Sequence, residues 1–450
     1  MKLITLSLFI FSTLGFANRL DLEKYIKLSI KNNPAFAEVD VDKEALDYIV
    51  DQGLPSREFI LSLRSENGYN ADSDDNTTST SAALSKSVIE SGTDFTISHS
   101  RVTRPDTREN VTEIRLEQSL YKNAFGQNVR LKKSSLLTQK DFKELESEEA
   151  REKLFSQILK TYLELSKAYR DFKLAKALEN EAIKLEKNVA SKAKQRVATS
   201  TDLKRAKLLV LLRKEEVLEK ETTYKTLKNQ IEENLSYDFT SFVESDSEKL
   251  IKQLTTLYRA QEQPSWASTR SFKIAQLRDK FNANEATLLA REDSPDVSFI
   301  IGYNKDDSSR FSTSIERSET VVGLKLEVPI GDTQARANYQ AAKLNHLKSN
   351  IQSRKDALEF SRQKTVLLNN LKQAQGQLSV NQSKVKLTAD IVMEEERRFS
   401  IGRLDLDTLI ELKSDYASYR AALEQSKLIY GMILIDWLEL ADNLSVEGLL

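Results

Sequence analysis

Arg398-Phe399-Ser400-Ile401-Gly402-Arg403-Leu404-Asp405-Leu406-Asp407 is a short turn with a single glycine, and the residues after it carry an unusually regular apolar seam to 444. Leu409, Tyr416, Leu423, Tyr430, Trp437 and Leu444 recur every seventh residue, with Leu412, Tyr419, Ser426, Ile433 and Leu440 three further on. That is the a/d pattern of a helix lying along another helix. A mate precedes the turn: Leu344, Ile351 and Leu358, then Leu371, Leu378, Val385 and Val392 after a register shift, with no proline between 331 and 450. The spacing predicts a long antiparallel hairpin.

Working back towards the start of the chain, the same hairpin is found once more. From 127 to about 194 the period is helical, with Phe155, Tyr162 and Tyr169 on one seam position and Ile158, Leu165 and Phe172 on the other. A polar turn over 195–202 leads to Leu203, Val210, Val217, Tyr224 and Ile231, again every seventh residue. Before each hairpin stands a set of short alternating segments. Phe59, Leu61 and Leu63 alternate in the first copy, followed by candidate strands over 82–89, 94–101 and 111–120. Val297, Phe299, Ile301 and Tyr303, then Val322, Leu324, Leu326 and Val328, alternate in the second. Such two-residue alternation predicts half-buried strands. The stretches 69–78 and 305–310 read as polar loops. Helices over about 20–32 and 35–50 end at Pro34 and Pro55, as the helix over 269–290 ends at Pro295. Glu248-Lys249-Leu250-Ile251-Lys252 echoes Glu23-Lys24-Tyr25-Ile26-Lys27. Helix, strand, loop, strand and long hairpin therefore occur twice, apart from an excess of about 30 residues over 78–110, which reads as an added hairpin in an outer loop.

Composition removes several functions. With 67 basic against 68 acidic residues, the 450-residue chain has no general attraction for nucleic acid or an anionic membrane surface. It has no cysteine, hence no disulfide, thiolate metal site, cysteine nucleophile or lipidated N-terminal cysteine. Only His99 and His346 could serve as imidazole bases or ligands, and they lie far apart in the sequence. No catalytic constellation emerges, so no enzyme and no cofactor are expected. Lys2 followed by the apolar run 3–16 and Gly15-Phe16-Ala17 has the pattern of an export signal, too short for the about 20 residues of a spanning helix.

Strands of about ten alternating residues, with polar loops on one side and helices on the other, match the pattern of outer-membrane barrel strands. About four per chain cannot close a barrel, so closure requires several copies. Helices of about 65–70 residues would span roughly 100 Å. A small soluble antiparallel sheet with a rod-like coiled coil is the alternative architecture.

Taken in order, these features resemble the TolC-like outer-membrane efflux protein family. The resemblance rests on Leu20-Asp21-Leu22-Glu23 running to Asn33-Pro34, on Pro55 and Pro295 between helix and strand, on the junctions Gln118-Ser119-Leu120-Tyr121 and Val328-Pro329-Ile330-Gly331-Asp332, and on the tip at Arg398-Phe399 with Gly402 and Asp407. It implies an α+β membrane protein with an internal duplication: a homotrimer whose four strands per chain form a 12-stranded barrel in outer-membrane lipid, continued by a periplasmic α-helical coiled-coil barrel. It further implies a passive exit duct, in tripartite efflux or type I secretion, that docks a periplasmic adaptor and through it an inner-membrane pump. The sequence departs from the family pattern in having Ala198-Thr199-Ser200 in place of a glycine at the first tip, no proline after Gln118, and a long first outer loop.

The expected layout is a signal peptide over 1–17, N-terminal helices over 18–57, a first strand pair with its long loop over 58–121 and a first hairpin over 122–243. Helices over 244–294, a second strand pair over 295–330, a second hairpin over 331–444 and a tail over 445–450 complete it. Adaptor docking is expected at Arg196, Val197, Thr199, Phe399, Gly402, Arg403 and Leu404. A periplasmic gate is expected at Asp405, Asp407 and Glu411, as rings of acids about a threefold axis; the acid matching the family's is Asp405 or Asp407. Helix capping is the competing role for both aspartates. A periplasmic adaptor or a structural coiled-coil envelope protein is the alternative function.

Overall fold

A computed structural model describes residues 19–55, 58–70, 75–260, 263–292, 294–310, 313–331, 333–446 and 448–449; the expected export signal lies outside the described residues. In chain order the elements are β1 (Arg19–Leu20), α1 (Leu22–Asn32), α2 (Pro34–Ala45), α3 (Ile49–Gly53), β2 (Ile60–Asn70), β3 (Asp75–Val88), β4 (Thr93–Thr103) and β5 (Thr107–Ser119). Then come α4 (Gln127–Lys194), α5 (Ser200–Leu235), β6 (Ser241–Phe242), α6 (Glu244–Ala260), α7 (Arg270–Ala290), β7 (Asp296–Arg310), β8 (Thr313–Glu327), α8 (Thr333–Ser400) and α9 (Leu406–Leu440). They form two units: Met1–Val41, Ser147–Thr269 and Leu358–Leu450 make the first, and Asp42–Glu146 with Arg270–Ala357 the second.

In the first unit the two repeats meet at their starting residues. Asp21 caps α1 by accepting the Lys24 N–H at 2.7 Å, and Pro34 both stops that helix and opens α2. Just before α1, β1 pairs in parallel with β6, which stands just before α6 (Arg19 with Ser241, Leu20 with Phe242). The Leu22 N–H donates to the Asp246 carboxylate at 3.3 Å across the same seam. Beneath lies the main apolar core, in which Leu20, Ile26, Phe155, Leu159, Tyr162, Leu250, Leu434 and Leu438 are almost wholly buried.

The hairpins pair as the heptads predict, over part of their length. Phe172 of α4 stacks on Tyr224 of α5, with ring centres 6.0 Å apart. Between α8 and α9, buried Asn381 donates to Ser426, the polar member of the α9 seam, at 2.7 Å. A polar pair in an apolar seam pins its register. The arms are unequal, however: α8 has 68 residues and α9 has 35. Leu371 and Val392 are buried as expected, whereas Leu344, Ile351 and Leu358 are 64%, 61% and 73% exposed. Those three belong to the part of α8 that α9 is too short to reach.

A semi-buried ionic cluster ties three helices of this unit. Arg170 of α4 donates to Glu424 of α9 at 2.8 Å and to the Glu244 carbonyl and Ser247 hydroxyl of α6 at 2.9 and 2.8 Å. Lys427 also reaches Glu424 at 2.8 Å. Burial pushes the Glu424 carboxyl upward, but the hydrogen bonds from Lys427 and Arg170 outweigh it and hold the group below its ordinary value.

The second unit holds one sheet in the order β2-β3-β4-β5-β7-β8, antiparallel throughout. It has six strands, where the sequence suggested about four. The added hairpin is β3 and β4, paired in full between β2 and β5. Residues 305–310 and part of 69–78, expected as polar loops, are strand as well. These stretches are rich in Ser, Thr, Asn, Asp and other charged residues, so they carry no apolar period to reveal them. The faces differ. Leu61, Leu84, Ile97, Ile114 and Tyr303 form one row across the sheet, with Phe95, Leu116, Ile301 and Val322 in the next. The opposite face carries Ala83, Ser98, Glu113, Asn304 and Glu319 in one row. In the same unit α7 packs on the start of α4 through Phe142 and Phe281, and on α8 through Asn350, which donates to Asp279 at 2.8 Å.

Removing Arg170 leaves Glu424 shielded by Lys427 alone in a largely buried position. Arg170→Ala is expected to lower stability by about 3 kcal/mol, read by denaturant unfolding. Because the folded-state pKa of Glu424 is depressed, its stabilisation is complete above the ordinary carboxylate range and is lost as pH falls through the depressed value. Glu424→Gln should therefore flatten the acid limb of the stability curve; an unchanged limb would show that the cluster carries little of it.

Candidate functional site at the hairpin tips

Both tips are built by the same backbone device. At the end of α4 the Val197 N–H returns to the Lys192 carbonyl at 2.9 Å and the Arg196 N–H to Ala193 at 3.0 Å. At the end of α8 the Arg403 N–H returns to Arg398 at 2.9 Å and the Gly402 N–H to Phe399 at 3.1 Å. These paired bonds close a helix through one residue of positive φ. Arg196 (φ 62°) and Gly402 (φ 77°) are those residues, so an arginine takes the place of the glycine missing from the first tip. A Cβ on Gly402 would meet nothing within 4 Å, which makes its requirement conformational and not steric.

The following helices start alike. Thr199 caps α5 by accepting the Asp202 N–H at 3.1 Å, while the Asp202 carboxylate accepts the Thr199 N–H at 2.8 Å. Asp405 caps α9, accepting the Thr408 N–H and hydroxyl, each at 2.9 Å. The hydrogen bond from the Thr408 backbone, then that from its hydroxyl, hold the Asp405 carboxyl below its ordinary range; those from Thr199 do the same for Asp202.

A small apolar cluster joins the tips: Leu185, Val189, Ala206, Phe399, Leu406 and Leu409 are buried together, with Ala198 and Leu404 packed against them. Lys192 locks this cluster from above, donating to the Phe399 carbonyl at 2.9 Å with its ammonium 4.1 Å from the ring centre. Arg205 of α5 pairs with Asp407 of α9, and Arg213 donates to Ser414 at 3.2 Å. Half-buried Lys413 pairs with Glu396 and lies 3.8 Å from Glu181.

Of the residues expected to dock a partner, Arg196, Val197, Thr199, Gly402 and Arg403 are exposed, Val197 at 68%. Phe399 is buried in the tip's own core, and Leu404 is partly buried against it. Exposed Ile401 (61%) takes the outward apolar position instead. Among the expected gate acids, Asp405, Asp407 and Glu411 are all exposed, with Asp405 serving as the cap and Asp407 as the partner of Arg205. Sequence reading missed Lys192, Arg205 and Asp202. The last was findable, because threonine followed three residues later by an acid is a capping signature. Among the described residues no group of His, Cys, Asp or Glu could hold a metal ion, and no helix is long and apolar enough to cross a membrane. His99 lies 2.9 Å from the Thr112 hydroxyl and His346 lies 3.2 Å from Asp279, both within the second unit.

Solved structures share this fold. The outer membrane protein VceC from Vibrio cholerae is 12% identical, with a TM-score of 0.66 over 92% of this chain and 95% of that one. The Campylobacter jejuni CmeC outer membrane channel is 14% identical, with a TM-score of 0.66 over 94% and 86%. The Neisseria gonorrhoeae MtrE outer membrane channel, in its open state, is 12% identical, with a TM-score of 0.68 over 94% and 90%. The chain has the fold of these outer-membrane channels. No protein-family model and no curated protein matches the sequence.

Gly402→Ala is expected to lower thermal stability by about 1 kcal/mol through the left-handed conformation alone, and Arg196→Gly to raise it by a similar amount. Opposite signs at two equivalent positions, read in melting curves, check that both tips use one turn; equal signs would refute it.

Proposed function

We propose that the protein is the outer-membrane exit duct of a tripartite efflux or type I secretion system, a passive homotrimer that spans outer-membrane lipid and reaches through the periplasm. One observation carries this reading: a sheet with one apolar face ends in two unpaired strands, β2 and β8, within a fold shared with outer-membrane channels. In hydrocarbon an unpaired edge has no water to satisfy its N–H and C=O groups, so the sheet must close on further copies. The apolar residues of α8 left exposed, Leu344, Ile351, Leu358, Val366 and Leu387, supply helix faces for neighbours in the same assembly. Transport needs no catalysis by the chain; energy comes from an inner-membrane pump coupled through a periplasmic adaptor. The adaptor meets the exposed tip residues Arg196, Val197, Thr199, Ile401, Gly402 and Arg403, where two apolar side chains stand beside two arginines.

The periplasmic gate is formed by acids just beyond the second tip, at Asp405, Asp407 and Glu411. Three copies of each would converge on one axis and favour cations. Asp407 is already paired with Arg205, so Asp405 and Glu411 contribute most of the uncompensated charge. Asparagine keeps the cap of α9 while removing the charge of Asp405. In planar bilayers Asp405→Asn should lower cation selectivity more than Asp407→Asn; equal selectivity in both variants and the parent protein would place the gate elsewhere. For the duct as a whole, the mature protein should fractionate with outer membrane as a trimer, and a soluble monomer would overturn the reading.

A further inference from the structure

We propose that the barrel made by this chain has eighteen strands, six from each of three copies, joined where β8 of one copy meets β2 of the next. This rests on the trimeric duct reading and departs from the 12-stranded barrel implied by the family resemblance. The sheet alternates direction at every step, so its two edge strands run opposite ways. Setting β8 of one copy beside β2 of another therefore continues the antiparallel order, and the total remains even, as such barrels require. Six strands alone enclose no lumen, since about eight are needed for an interior that side chains just fill.

The added hairpin belongs to the wall. β3 and β4 pair without interruption from Thr78 with Thr103 to Val88 with Thr93. Their apolar residues Leu84, Phe95 and Ile97 fall on the same face as Ile114, Leu116 and Ile301 of β5 and β7, and Ser81, Ser85, Ser87, Ser98 and Ser100 fall on the opposite face. A 12-stranded barrel would require β2 to pair with β5 and would expel those apolar side chains into water. The edge strands are the most exposed part of the apolar face, with Leu63 at 75% and Leu324 at 73%, as strands lacking a neighbour on one side should be.

With strands about 4.8 Å apart and tilted about 40°, eighteen strands give a backbone diameter of about 36 Å against about 24 Å for twelve. Cross-section more than doubles, and the outlet admits bulkier solutes.

The chain has no cysteine, so introduced thiols stand alone. Single variants Leu84→Cys and Ser85→Cys in β3, Ile97→Cys and Ser98→Cys in β4, and Ile114→Cys and Glu113→Cys in β5 are reconstituted in liposomes and labelled with a charged maleimide. The expected result is lumen-side labelling of positions 85, 98 and 113 and protection of 84, 97 and 114. Ser62→Cys combined in turn with Glu319→Cys, Val321→Cys or Gly323→Cys should, on oxidation, give a covalent ladder ending at three chains. Alternation in β5 with uniform labelling of β3 and β4 overturns the eighteen-stranded barrel and leaves the duct standing. A ladder ending at two chains also overturns it. Loss of alternation in every strand, in a protein that does not trimerise, defeats the duct reading itself.

Discussion

Backbone hydrogen bonding at a sheet edge is the constraint on which the rest of this molecule depends. A strand that ends a sheet in water can solvate its free N–H and C=O groups, whereas in hydrocarbon each such group costs several kcal/mol. Here the two edges belong to β2 and β8, and the rows across the sheet place apolar side chains on one face and polar ones on the other. One-sided apolarity calls for a low-dielectric surrounding, and open edges then call for partners. The proposed oligomer rests on these two facts together, and neither suffices alone.

The helical unit solves a different problem, that of holding long helices in register. Seam residues such as Leu409 and Trp437 drive association without specifying position, and the buried pair Asn381–Ser426 supplies the position. Arg170, anchored at once to α6 and α9, ties the hairpins to the short helices of the second repeat. Parallel pairing of β1 with β6 joins the starts of the two repeats, so the duplication evident in sequence becomes a physical contact between its copies.

At the tips, one geometry is reached by two sequences. Gly402 adopts positive φ at no steric cost, while Arg196 adopts it at a cost of about 1 kcal/mol that the surrounding turn must offset. The shared cluster of Leu185, Val189, Phe399 and Leu409, roofed by Lys192, provides that offset by fixing both turns against each other. The result is a joined end at which Asp202 and Asp405 hold the helix starts and Asp407 pairs with Arg205.

The heptads from 409 to 444, the doubled order of elements and the prolines that punctuate it were enough to derive the hairpins, the duplication and the existence of a one-sided sheet, because helix and strand periods are local properties of the chain. The caps at Thr199 and Asp405 were open to the same reading. The full length of the strands was not, since Ser and Thr runs such as 76–81 carry no apolar period and become strand where β2 and β4 flank them. Nor was the inward turn of Phe399, or the pairing of Arg205 with Asp407, 202 positions apart in the chain. Such contacts depend on where one hairpin lies against the other, and no local pattern encodes that; only the tertiary structure decided them.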